Sequence, residues 1–451
     1  MGETEVVRRD APPLADYAGA RSGFSWDAAI AEAGIDTASM NLGMLATERH
    51  VAAGRGAHPA IVWVPQTGPA QSITYADLAE WSARAANMLS SRGVAKGDVV
   101  LFLLPNAPEL YAGVLGALRL GAVVSVLGGG RNLDYLRNIL SQAKPKALVT
   151  VASFRSSVTA LRAQATELTS VFYVNRAKLA PPALDEGEFH WTDHFEAAAP
   201  SFAMQATAAS ERAYIHYTEL GMSGGVVSHL VGLPLLLTAR SVLEMRAGEP
   251  VHAIALPGEH YFLTYSMLAP LLAGATNLVL ENPAQFQRWE ELPASVRPRI
   301  WFSGAKPLDV MLRTDPNLGT ALRDCRNICI SWPYDKHFVA MTAYSYGSPL
   351  HAVWAERETG ALQCAELRGC PIRPGSVGRP LPGAEVQIVD DAGVPLPAGV
   401  PGRVAARTGL AAPFVEYWAD SELTAAGVRD GWFLTKRTGR IDADGYVWLE
   451  S

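Results

Sequence analysis

The 451-residue chain carries 38 Lys and Arg against 44 Asp and Glu, a net charge of -6, with 49% hydrophobic and 18% charged residues. That balance is globular; it offers neither the basic field that nucleic acid requires nor a polybasic membrane patch, and the length points to roughly three domain-sized units. Small molecules or other proteins are the expected partners.

Residues 1–40 read as a leader, and its first ten are polar and mixed in charge, unlike a secretory signal. Val6 stands where a myristoylation pattern needs Ser or Thr. The pattern then alternates: an amphipathic helix at residues 83–92, a buried strand at 99–104, a helix at 108–120 and a strand at 122–127. Gly128-Gly129-Gly130 is a joint rather than a phosphate loop, because no Lys-Ser/Thr follows it. Further strands are expected at 147–151 and 171–174. Residues 179–200, acidic and interrupted by prolines, read as a connecting excursion, with His190 and His194 on a solvated loop.

A second α/β run covers residues 213–331. Its longest apolar stretch, 267–280, is broken by Pro270, Thr276 and Asn277 and is too short to span a bilayer. Four cysteines (Cys325, Cys329, Cys364, Cys370) match no zinc spacing, and read as buried thiols in a reducing, cytoplasmic compartment. From Gly375 short β runs at 385–389, 402–406 and 446–449 alternate with Gly, Pro and Asp turns. Strands alternating with helices imply parallel sheets. The expected fold is therefore α/β, with two doubly wound α/β subdomains (41–200 and 201–374) and a small β-rich subdomain (375–451).

Several stretches lie in a telling order: ITYADL from Ile73, the run from Gly97 through Val123, WAERETG from Trp354, PGSVGRPLPG from Pro374, GWF from Gly431 and GRIDADGY from Gly439. Together they resemble the acyl-CoA synthetase, adenylation-domain and luciferase superfamily, within it the acetyl-CoA synthetase branch. The resemblance implies a two-step reaction: a carboxylate attacks the α-phosphate of ATP to give an acyl-AMP, and a thiol, usually that of CoA, takes the acyl group. Such chemistry needs donors around the triphosphate, a Mg²⁺ ligand and a lysine at the transition state.

Carried over residue by residue, the resemblance makes Glu358 the Mg²⁺ ligand, with Thr359 beside it. It places Thr218, Ser223, Gly224 and Gly225 on the phosphate loop, and His260, Trp354 and Ala355 at the acyl pocket. The departures are concentrated on the nucleotide. The loop from His216 to His229 is short, has no lysine, and puts Glu219 where a hydroxyl belongs, so it repels a polyanion. Residual anion binding would fall to Ser223–Gly225 at a helix N-terminus. Arg357 replaces a threonine and is placed to neutralise Glu358. Arg437 replaces the aspartate that would accept the ribose hydroxyls. Trp332-Pro333-Tyr334-Asp335 stands in place of a Gly-Glu-Pro segment. Ala355 replaces a pocket-closing tryptophan, which implies room for more than acetate. The family's C-terminal lid domain, with its lysine, is expected to be absent.

These departures imply a core with an eroded ATP site, a non-catalytic or partner-dependent subunit that binds an acyl or nucleotide ligand. The alternative is a divergent carboxylate–CoA ligase using ATP, Mg²⁺ and CoA. A third reading takes Gly221-Met222-Ser223-Gly224-Gly225 as G-x-S-x-G, with Ser223 the nucleophile of an α/β-hydrolase and His337 or His351 its base. A protein partner or second copy is expected over the crevice, against exposed Trp354, Tyr261 and Phe262 and the aromatic run from Tyr334 to Tyr346.

Overall fold

The computed structural model describes residues 16–129, 133–176, 183–217, 223–282, 288, 291–314, 318–334, 350–368 and 370–450. The helix Tyr75–Ser90 shows how the local rules operate. Thr74 caps it by accepting from Asp77 N (3.1 Å), while the Asp77 carboxylate takes Thr74 N (2.8 Å), so two orphan donors are satisfied reciprocally. This capping box starts the helix earlier than apolar periodicity alone suggests. Its buried stripe, Leu78, Ser82, Ala85, Ala86 and Leu89, packs on the helix Pro108–Arg119. The crossing is close: a Cβ on Gly116 would lie 2.6 Å from Ala85 Cβ and 2.7 Å from Ser82 O.

Three sheets organise the chain. The first has eight strands in the order Phe414–Tyr417, Gly225–Ser228, Arg212–His216, Val123–Val126, Val99–Leu103, Ala147–Val151, Ser170–Val174 and Glu188–His190. The last six pair in parallel, and the first two join antiparallel at one edge. The second has nine: Arg379–Pro380, Cys364–Ala365, Leu350–Trp354, Asn327–Ser331, Ile300–Gly304, Pro250–Ile254, Thr276–Leu280, Pro59–Val64 and Gln71–Thr74. Its six central strands are parallel, all but fully buried, and so read as continuous apolar runs. Val386–Val389, Gly402–Arg407, Trp432–Ile441, Val428–Arg429 and Val447–Leu449 form the third sheet, all antiparallel. The architecture is thus two α/β units and a small antiparallel β unit.

Each large sheet draws strands from both sides of residue 200. Pro59–Val64 pairs with Thr276–Leu280, and Arg212–His216 with Val123–Val126. From Asp16 on the leader is docked: Tyr17 OH donates to Pro380 O (2.8 Å), and a Cβ on Gly383 would meet the Phe24 ring at 2.4 Å. The expected excursion is corrected in its second half. Glu188–His190 is an edge strand and Trp191–Ala197 a helix anchored by buried Trp191. His194 belongs to that helix, packed edge-on against Phe189 at 5.1 Å. Cys325, Cys329 and Cys364 are buried and Cys370 half-buried, all as free thiols. Among the described residues no helix is long and apolar enough to cross a membrane.

Candidate functional site

The crevice residues stand where parallel strands of the second sheet end, the usual place for ligand sites in α/β folds. Leu350–Trp354 runs into the turn 354–360, and Pro250–Ile254 into the loop that carries His260 and Tyr261. Thr359 holds the turn. Its hydroxyl donates to Glu356 O (2.8 Å) and accepts from Glu356 N (3.2 Å), so its polar capacity is spent inside the turn.

Glu358 faces Tyr417, whose hydroxyl donates to its carboxylate at 2.9 Å. Burial pushes the Glu358 carboxyl above the ordinary carboxylate range, neighbouring Glu356 adds to the rise, and Arg357 opposes it. Tyr417 arrives there because its strand pairs antiparallel with Gly225–Ser228. Gly225 is the point of contact, since a Cβ on it would lie 3.6 Å from Glu358 Cγ. The expected Arg357–Glu358 ion pair is not formed among the described residues. Instead Arg437 Nε pairs with Glu356 at 3.0 Å, and its guanidinium lies 4.8 Å over the Trp332 ring. Trp354 Nε1 donates to the same Glu356 oxygen (3.2 Å).

Two histidines complete the cluster. His216 and His260 meet edge-on at 6.0 Å, and His260 stacks on Tyr261 at 4.2 Å. Burial and then the Arg357 charge hold His216 down to about 3; burial, His216 and Arg357 hold His260 well below its ordinary value. Both are neutral near pH 7.

Several expectations are corrected here. Trp354, Tyr261 and Phe262 are buried, because Trp354 packs among Val377, Val386 and Val404 while Tyr261 packs on Phe302. Tyr261 lies against Ala355, its hydroxyl accepting from Ala355 N at 3.2 Å. Ser223, in left-handed backbone (φ 56°), opens onto the strand Gly225–Ser228 rather than a helix. That hairpin, antiparallel to Arg212–His216, supplies neither a helix N-terminus for an anion nor the strand–turn–helix elbow of a hydrolase. Gly224 is needed for packing: a Cβ there would lie 2.5 Å from Ile215 Cγ2. Thr218, Glu219, His337 and, from residue 335 on, the aromatic run to Tyr346 lie outside the described residues. Tyr334 is described, and its hydroxyl donates to Ser376 O.

The profile of the AMP-binding enzyme family matches residues 48–413. The chain belongs to that family. Among its relatives are the 3-hydroxybenzoate–CoA ligase of Aromatoleum, 29% identical over 88% of this chain and 74% of that one, and the acetyl-coenzyme A synthetase of Pyrobaculum aerophilum, 28% identical over 91% and 67%. Two solved structures share the fold. A Brucella canis acyl-CoA synthetase superposes with a TM-score of 0.86 at 22% identity, covering 96% of this chain and 79% of that one. The anthranilate CoA ligase AuaEII, in complex with anthranoyl-AMP, gives 0.81 at 18%, covering 92% and 79%. Within this AMP-binding frame, sequence reading missed Glu356 as the partner of Arg437, although it lies in the quoted WAERETG. It also missed Tyr417 and His216. Tyr417 has no local signal, because strand pairing alone brings it 59 positions back to Glu358.

Proposed function

We propose that this AMP-binding family member is an acyl-CoA-synthetase-like subunit that does not form acyl-adenylates on its own. In this reading it binds an acyl or nucleotide ligand and depends on a partner for any chemistry. The observation that carries it is the Arg437–Glu356 ion pair (3.0 Å). At the position where the resemblance places the ribose acceptor, a cation is held by a carboxylate of the facing turn. A diol arriving there meets a guanidinium in place of an acceptor, and one oxygen of the nearby Glu356 carboxylate is taken by Arg437 and Trp354.

The Mg²⁺ position supports the same reading. Burial disfavours the ionised form of Glu358 that a hard divalent cation takes, and one of its oxygens already accepts from the Tyr417 hydroxyl. No catalytic step is therefore derived through Mg²⁺ or ATP. The second reading, a divergent carboxylate–CoA ligase, is favoured by the curated relatives, which are named as ligases and synthetases. Pyrophosphate exchange by the isolated chain, with a panel of short and aromatic carboxylates, separates the two. Background-level exchange, together with weak or absent ATP binding by calorimetry, is expected; carboxylate-dependent exchange would establish the ligase instead. A partner or second copy over the crevice belongs to the first reading, and light scattering and co-purification test it.

A further inference from the structure

Where the two large units meet lies a small cavity of about 10 Å³, lined by Asn106, Tyr111, His252, Ser266 and Asn277 among apolar neighbours. That volume admits the centre of one water-sized molecule. Four buried polar atoms of its lining have no protein partner: Asn106 Oδ1, His252 Nε2, Ser266 Oγ and Asn277 Oδ1. Isolated orphans are costly, and four on one small cavity point to a common ligand.

The chemistry of that ligand follows from what the other ends of these side chains do. Asn106 Nδ2 donates to Leu280 O (3.3 Å) and Asn277 Nδ2 to Ser266 O (2.7 Å), which sets both amides with their oxygens toward the cavity. His252 Nδ1 lies 2.8 Å from Leu278 O and so carries the ring proton, leaving Nε2 an acceptor. Burial holds this imidazole down to about 4, so it stays neutral. The cavity thus presents three acceptors and one hydroxyl.

We propose that this cavity is a built site for a single ordered water. The Ser266 hydroxyl donates to the water's oxygen, and the water's two hydrogens serve two of the three acceptors. An ammonium ion would bring a charge that no carboxylate in the lining offsets. The water joins the two units, since Asn106 follows a strand of the first sheet, whereas His252 and Asn277 lie on strands of the second. It also steadies the π-turn Phe262–Leu268. Ser266 N donates to Tyr261 O (3.0 Å), so a fixed Ser266 holds the start of the turn that carries Tyr261 and follows His260 in the crevice.

A crystal structure of the full chain, grown without ammonium salts, tests the site directly. One density peak is expected within about 2.7–3.2 Å of at least three of the four atoms. Ser266→Ala gives an independent readout in denaturant titration. Around a bound water it removes the hydrogen bond that Ser266 gives the water, and the unfolding equilibrium constant should rise severalfold. In a dry cavity it merely deletes an orphan hydroxyl, and the constant should stay level or fall. The absence of a peak, a direct Asn106–His252 contact, or a Ser266→Ala protein at least as stable as the parent would each overturn the proposal.

Discussion

Gly378, in the run PGSVGRPLPG, gives the sharpest test of how sequence and packing combine. Its backbone is left-handed (φ 78°), and an added Cβ would fall 1.9 Å from both Ala365 C and Ala365 O and 2.2 Å from Glu366 N. All three are main-chain atoms of the neighbouring segment, so no rotamer relieves the clash. Moving from 1.9 Å to the 3.0 Å below which real Cβ atoms essentially never approach requires a backbone shift of about 1.1 Å. That shift strains the pairing of Arg379 with Ala365 and the bond from Val447 N to Gly378 O (2.8 Å). Left-handed strain of about 1–2 kcal/mol, with two buried hydrogen bonds left unmade at about 1–3 kcal/mol each, gives roughly 4 kcal/mol or more for Gly378→Ala. Against a total stability of about 5–15 kcal/mol that loss is severe. Gly445→Ala is the control: its φ is 84°, but nothing lies within 4 Å of the added atom, so only the strain of about 1 kcal/mol applies. Urea unfolding followed by tryptophan fluorescence reads both as midpoint shifts at constant slope. Equal shifts for the two variants would refute the steric argument.

Two further outcomes follow from the charged groups. Burial pushes the Glu366 carboxyl from 4.5 up to about 8, and one of its oxygens accepts from Ala352 N at 2.9 Å. The folded state therefore holds an extra proton between these values. Its stabilising effect is complete below pH 4.5 and is lost as pH rises towards 8, by a few kcal/mol. Unfolding midpoints of wild type and Glu366→Gln across that window should diverge, and parallel pH profiles would reject the assignment. For Arg437 and Glu356, with side chains 42% and 15% exposed, a double-mutant cycle should give a coupling below about 1 kcal/mol that shrinks with salt. A large, salt-insensitive coupling would show a drier crevice than the structure has.

Fold class was legible in the residues. Apolar runs such as VVLFL at 99–103 and ALVTV at 147–151 are buried on both faces, and that pattern suits only strands covered by helices on each side. The short runs and turns after Gly375 likewise pointed to a small antiparallel unit, whose first strand is Val386–Val389. The motif order pointed to the AMP-binding family, because each motif is local in the chain.

The residues around the crevice were legible only as types. Glu358 and Arg437 could be singled out by position in a motif, but their partners could not, since Tyr417 and Glu356 are chosen by strand pairings across 59 and 81 positions. The same limit hid the hydrogen bond from Ala355 N to the Tyr261 hydroxyl, 94 positions away, and the turning of Ser223 into a hairpin. Local propensity and periodicity act over a few residues and determine which elements form. Which side chains then share one buried cluster, and so which carboxyl is pushed above its ordinary range and which histidine stays neutral, is decided by the long-range register of the sheets.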